Sequence, residues 1–189
     1  MKTMNVSLVG VGGQGILLTS KILGYLALKM GKDIKVSEVH GMSQRGGSVI
    51  THVRIGDAIA SPLISAAEAD YVLSFEMLEA LRAEPFLKED GVMIYNTQRM
   101  LPMPVISGKA QYPEQLPAAK RQVALDALTL AKEAGSARSV NIVLLGVLSA
   151  FSEWEQQEWE DAIAACVPQK TLETNLKAFE AGRKAAKGE

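Results

Sequence analysis

Four glycines fall within the six positions Gly10-Val11-Gly12-Gly13-Gln14-Gly15, directly after the apolar run Val6-Ser7-Leu8-Val9 and before a long apolar stretch from Ile16 to Met30. In regular structure each glycine costs roughly 0.5–1 kcal/mol relative to alanine, so the cluster implies a backbone that needs positive φ or close approach by another group. A buried strand that breaks into glycines and resumes as a helix points its first free amides at whatever is bound. Read from Gly10, the spacing Gly10, Gly12, Gly15 formally satisfies the dinucleotide fingerprint G-x-G-x-x-G, which is weak evidence alone. Glu38 follows at about the distance of a ribose-binding acid, although a solvated sheet-end carboxylate is the more ordinary reading. The second candidate is His40-Gly41-Met42-Ser43-Gln44-Arg45-Gly46-Gly47. Arg45, on a backbone loosened by Gly46 and Gly47, can grip a phosphate or carboxylate in a fork, or lock into an acidic partner surface; otherwise it is an unremarkable loop arginine. His40 suits hydrogen bonding to a ligand or partner chain.

Other chemistries lack their residues. The two histidines, His40 and His52, have no second ligand at a metal-binding spacing, and His52 falls mid-strand, where a structural or surface role is expected. There is no Ser-centred nucleophile elbow and no HExxH, and Ile16 after Gly15 removes the G-K-[ST] ending of a P-loop. Cys166, the one cysteine, excludes an internal disulfide framework and a cluster or zinc site built on this chain's own thiolates. Before Val167-Pro168 it reads as a small apolar residue.

The elements that must position these residues follow from periodicity. Met4 to Gly10 predicts a strand, Gly13 to Met30 a helix stopped by Gly31, and Asp33 to Val39 a second strand whose carboxyl end carries the 40–47 loop. In an open α/β sheet both loops then share the ligand-binding edge. Ser48 to Ile55 alternates on both faces and follows too closely for a crossover helix, which predicts an antiparallel pairing and a mixed sheet. Gly56-Asp57 is then a turn, with Ala58 to Ile64 a return strand or loop. The βαβ rhythm resumes with a strand at Asp70 to Phe75, a helix at Glu76 to Leu87 and a strand at Gly91 to Tyr95. Prolines at 102, 104, 113 and 117 punctuate an excursion with a short strand near Val105. Helices are expected over Ala118–Ala134, Val140–Phe151, Glu155–Ala165 and Thr171–Lys187. The predicted class is α/β, a Rossmann-like open mixed sheet, mostly parallel, with an antiparallel strand pair and a helical C-terminal region from about residue 118. The unusually broad apolar face of the first helix suggests burial against the sheet and a further body such as another subunit.

Composition agrees with one domain over residues 1–189. Lys and Arg number 20 against 21 acidic residues, a formal charge of -1, which gives no support for a nucleic-acid partner. The opening Met-Lys-Thr-Met has no signal-peptide pattern, and polar interruptions in the apolar helix argue against a membrane span. A cytoplasmic location is expected.

On these residues the sequence resembles the gamma-type subunits of 2-oxoacid:ferredoxin oxidoreductases, most nearly the beta subunit of the indolepyruvate branch. The resemblance covers nearly the whole chain. It is carried by Gly10 to Gly15, by Glu38 through Gly47, by Ser61-Pro62-Leu63-Ile64 before Ala69-Asp70, by Asn96, by Asn141 through Gly146, and by Glu173-Thr174-Asn175. The resemblance implies a subunit assisting CoA-dependent oxidative decarboxylation of an aryl pyruvate to an acyl-CoA, with electrons passed to ferredoxin. It also implies that a larger alpha subunit holds thiamine diphosphate and the iron–sulfur clusters. Gly10, Gly12, Gly13, Gln14, Gly15, Glu38, His40, Ser43, Gln44, Arg45, Gly46, Gly47 and Asn96 are then ligand- or interface-binding, with coenzyme A a candidate contact and no catalytic residue. The competing expectation is a stand-alone dinucleotide-binding module using Gly10, Gly12, Gly15 and Glu38.

Overall fold

A computed structural model describes residues 3–40 and 47–188, with His40 described by its backbone alone. The sheet-forming part comprises β1 (Met4–Val11), α1 (Ile16–Lys29), β2 (Asp33–His40), β3 (Ser48–Gly56), β4 (Ala69–Ser74), α2 (Met77–Ala83), β5 (Leu87–Asn96), a single helical turn α3 (Met103–Ile106) and β6 (Arg121–Leu125). Four helices follow: α4 (Ala127–Glu133), α5 (Val140–Ser149), α6 (Gln156–Cys166) and α7 (Leu172–Lys187). The strand order is β2-β3-β1-β4-β5-β6. β3 runs antiparallel to both β1 and β2, whereas β1, β4, β5 and β6 pair in parallel. Only β3 is therefore reversed, and the expected antiparallel pairing occurs on both of its sides.

Burial explains this arrangement. Every residue of β1 is buried, as suits a central strand covered on both faces. One core lies between the sheet and α1, α4, α5, α6 and α7, with Leu8, Val53, Leu73 and Ile94 meeting Ile22, Leu26, Ile142 and Trp159. A smaller one, containing Val9, Val72, Ala80 and Met93, lies under α2. α5 is buried from Asn141 to Ser149 because α7 crosses it at backbone contact. A β-carbon on Gly146 would stand 2.1 Å from the Phe179 carbonyl oxygen, and one on Gly182 would stand 1.9 Å from that of Val143. No described helix is long and apolar enough to cross a membrane.

Several boundaries differ from the expected ones. The helix predicted over 118–134 is instead the edge strand β6 followed by α4. Arg121 and Gln122 are exposed, so this strand lacks the apolar run that would mark it, and Asp126 starts the helix by accepting the Thr129 amide proton. The strand expected near Val105 is the turn α3, entered from Pro102. The helix predicted to reach Leu87 stops at Ala83, where a 3₁₀ turn over Glu84–Phe86 carries Pro85, and β5 begins earlier than Gly91. Residues 58–64 form a loop. The broad face of α1 is only partly covered, since Leu17, Tyr25 and Leu28 remain exposed.

His52 is structural. Its Nδ1 accepts the Ile64 amide proton at 3.0 Å, its ring meets Phe86 edge-on, and its buried Nε2 has no partner among the described residues. Burial, aided by the charge of Arg54, holds its pKa below the ordinary 6.5. The unfolded chain therefore takes up this proton near 6.5 while the folded chain resists, so stability present above that pH is lost as pH falls through the window below it. His52→Asn keeps an acceptor for Ile64 and removes the titration. Urea unfolding at about pH 7 and about pH 5 is expected to show a smaller acid loss in the variant than in the wild type. Gly146→Ala should cost about 2–3 kcal/mol in the same assay, because α5 and α7 have to separate to admit the methyl group.

Candidate functional site

The carboxyl ends of β1, β4 and β5 open onto a cleft of about 450 Å³ lined by Gly13, Gln14, Gly15, Leu18, Gln98, Met100, Leu128, Ala137, Arg138, Val140 and Asn141. Its floor is the glycine loop. Gly13 and Gly15 sit at φ 96° and 87°, in the left-handed region that side chains resist, and this allows the chain to turn from β1 into α1. Gly15 caps α1 without any side-chain hydrogen bond and no acidic residue occupies the first turn, so the helix presents uncompensated amides and the positive end of its dipole.

Gln14 holds the loop in shape. Its Oε1 accepts the Val11 amide proton at 2.7 Å, and its Nε2 donates to the Phe75 carbonyl at 3.1 Å and to Met100 Sδ at 3.3 Å. Gly10 is obligatory beneath it, since a β-carbon there would lie 2.6 Å from Gln14 Oε1 and 2.9 Å from Phe75 Cβ. Gly15 is equally constrained by Asn141, whose side-chain atoms would lie 2.9 Å from an added β-carbon and whose Nδ2 donates to the Gly15 carbonyl at 3.4 Å. Gly12 donates its amide proton to the Gly47 carbonyl at 3.2 Å, joining the glycine loop to the start of β3.

Asn96, fully buried, works from below. Its Nδ2 donates to the Phe75 carbonyl and to Gln98 Oε1, both at 3.3 Å, and its Oδ1 accepts the Ala127 amide proton at 3.2 Å. It ties β4, β5 and α4 together and lines no part of the cleft. Beside it, Glu76 is 1% exposed; its Oε1 accepts the Met100 amide proton at 2.9 Å and the Tyr112 hydroxyl proton at 2.6 Å. Burial and then this carboxylate push the Tyr112 hydroxyl pKa well above the ordinary tyrosine value, so it remains a proton donor.

The structure thus gathers Gly13, Gln14 and Gly15 at the cleft, sets Gly10 and Gly12 just behind them, and brings Gly47 onto Gly12. It does not bring Glu38 there. Glu38 pairs with Thr51, which pairs with Leu8, so the carboxylate is level with mid-β1 and two strand spacings away, about 10 Å. It accepts from the Thr51 hydroxyl at 3.5 Å. With β3 inserted between β1 and β2, the ribose-binding position of a dinucleotide fold is not reproduced. Residues Ser43, Gln44, Arg45 and Gly46, with the His40 side chain, lie outside the described residues. Sequence reasoning missed Gln98, Met100 and Arg138 as cleft residues. The one available signal for Arg138 was its place in a Gly135-to-Ser139 turn before an apolar helix, and the missed β6 hid where that turn returns. Of the lining residues Arg138 alone is charged. Among the described residues no three His, Cys, Asp or Glu side chains are placed to hold a metal.

The sheet and loop geometry define a Rossmann-like α/β fold whose glycine loop serves a cleft without the dinucleotide partner strand. Residues 5–185 match the family pyruvate ferredoxin/flavodoxin oxidoreductase, and the chain belongs to that family. It is 42% identical to indolepyruvate oxidoreductase subunit IorB of Thermococcus kodakarensis, over 99% of this chain and 98% of the relative. Ketoisovalerate oxidoreductase subunit VorA of Methanothermobacter marburgensis is 27% identical over 96% of this chain, which covers 36% of that longer relative. Among solved structures, the gamma subunit of a keto/oxoacid ferredoxin oxidoreductase from Geobacter sulfurreducens superposes with a TM-score of 0.75 at 25% identity, covering 98% of this chain and 99% of that one. The 2-oxoglutarate:ferredoxin oxidoreductase from Magnetococcus marinus, with 2-oxoglutarate, coenzyme A and succinyl-CoA bound, shares the fold at a TM-score of 0.78 and 20% identity; all of this chain matches 32% of that one.

Removing the Gln14 amide strands the Val11 amide donor and frees the glycine loop. Gln14→Ala is therefore expected to cost about 1–3 kcal/mol in urea unfolding, with hydrogen exchange accelerated at Val11 more than at the neighbouring β1 amides.

Proposed function

We propose that this chain is the gamma-type subunit of a 2-oxoacid:ferredoxin oxidoreductase acting on indolepyruvate or another aryl pyruvate, and that it completes the active-site cleft of a larger subunit. The observation that carries this reading is the character of the cleft: among the described residues, amides, apolar side chains and a single guanidinium line it. Such a surface binds and orients, while the carbon chemistry comes from elsewhere. The higher identity to the indolepyruvate subunit than to the ketoisovalerate one favours an aryl substrate. In the complex the 2-oxoacid loses carbon dioxide, its acyl group passes to the thiol of coenzyme A, and the electrons pass to ferredoxin.

Thiamine diphosphate and the iron–sulfur clusters belong on the larger alpha subunit in this reading. The donor set here agrees, since one cysteine in the sequence cannot supply the thiolates of a cluster. The cleft fits part of coenzyme A. The α1 amides and Arg138 suit a phosphate, and Leu18, Met100, Leu128 and Val140 suit the apolar stem next to it. Gly47 bonds to Gly12 beside the cleft, and in this reading His40, Ser43, Gln44 and Arg45, which precede it in sequence, serve the ligand or the partner chain.

The test is co-purification with the larger thiamine-diphosphate subunit from the same source, followed by an assay of indolepyruvate- and CoA-dependent ferredoxin reduction. A stable, active complex is expected. Arg138→Ala should raise the KM for coenzyme A by about tenfold or more, the loss of one charge-assisted hydrogen bond, with the KM for indolepyruvate little changed. Absence of a complex, together with a dinucleotide retained by the isolated chain through gel filtration, overturns the reading in favour of a nucleotide-binding module.

A further inference from the structure

Between β5 and β6 the chain leaves the sheet edge and crosses the protein surface. Leu101, Met103, Ile106 and Leu116 on this strap are 52%, 70%, 62% and 55% exposed, and none of them packs against either hydrophobic core. The strap is nevertheless pinned. The buried Glu76 carboxylate holds it at the Met100 amide and the Tyr112 hydroxyl, and the Arg99 guanidinium lies 5.3 Å from the Tyr112 ring centre. Pro102, Pro104, Pro113 and Pro117 restrict its backbone further. An apolar surface held in a fixed shape loses little entropy on docking, and this one does nothing for the chain's own core. Its inner side, Gln98 and Met100, is a wall of the cleft.

We propose that the strap is the surface on which the larger subunit docks, so that docking roofs the cleft and the two chains share it. The inference rests on the subunit reading above. Two observations favour this occupant over a second copy of the chain. This chain matches 32% of the Magnetococcus chain and 36% of the ketoisovalerate subunit, where the matched part is joined to the rest of a longer polypeptide, whereas it covers 98% of the indolepyruvate subunit of Thermococcus, a relative of this size that has to meet such a body across a surface. The strap also borders a cleft whose described lining holds no nucleophile, general base or metal-ligand set, and a second copy would bring only the same lining.

The experiment uses the full chain with the co-expressed larger subunit. Hydrogen exchange of the wild-type complex should show protection over residues 99–116 that is absent in the free chain. Met103→Asp with Ile106→Asp should weaken association at least about tenfold with thermal unfolding unchanged. Should the double variant fold poorly, Met103→Ala with Ile106→Ala serves the same purpose. Strap variants that fold and bind like the wild type, with no protection of the strap, overturn the inference and leave the subunit reading standing. Failure of the wild-type chain to bind overturns both. A strap-dependent homodimer of the isolated chain, with the larger subunit bound elsewhere, assigns the surface to a second copy and overturns the inference.

Discussion

The cleft depends on one backbone oxygen, the carbonyl of Phe75. It receives the Gln14 amide from the glycine loop and the Asn96 amide from the end of β5, so three parallel strands end against a single acceptor. Such sharing works because β1 passes close enough for Gln14 to reach across, and that closeness requires the missing side chain of Gly10. Gly10 is thus explained by packing, whereas Gly13 and Gly15 are explained by φ. Both demands meet within one short loop, whose residues Gly13, Gln14 and Gly15 line the cleft.

The reversed strand β3 sets what that loop can serve. In a dinucleotide fold the second strand lies beside the first and brings an acid to the ribose. Here β3 takes that place and moves Glu38 outward and down to the level of Leu8. Gly47 at the head of β3 bonds to Gly12 instead. The glycine spacing is preserved while its usual chemistry is not. Among the described residues, Glu38 does not reach the position of a ribose-reading acid.

Much of this was legible in the sequence, for identifiable reasons. β1, α1, β3 and β4 carry strong apolar patterns, and the short 40–47 connection required β3 to run antiparallel. The last three helices are long enough for their periodicity to stand out, and of the structural and surface roles open to His52 in mid-strand, its burial selects the structural one. The misses share a cause. β6 is an exposed edge strand whose polar residues imitate a helix surface, and α3 is one turn between prolines; neither buries enough to leave a pattern. Losing β6 meant losing the place of Arg138, because its turn reaches the cleft only after the chain has passed through the sheet. Asn96 was singled out by the resemblance, but its role lies in hydrogen bonds to Phe75 and Ala127, two groups distant in sequence, which no local spacing encodes.

The buried carboxylate of Glu76 adds a further step. A carboxylate that is almost wholly buried is costly unless its oxygens are satisfied, and here they are taken up by the Met100 amide, the Tyr112 hydroxyl and the Glu79 amide. Those partners lie on both the strap and α2, so one group fixes the outer wall of the cleft relative to the sheet. The floor is fixed by Gln14 and the inner wall by Asn141, each through backbone carbonyls or amides of the glycine loop. Three uncharged or internally satisfied anchors therefore give the cleft its shape, and Arg138 is the one charged residue among the described residues that line it.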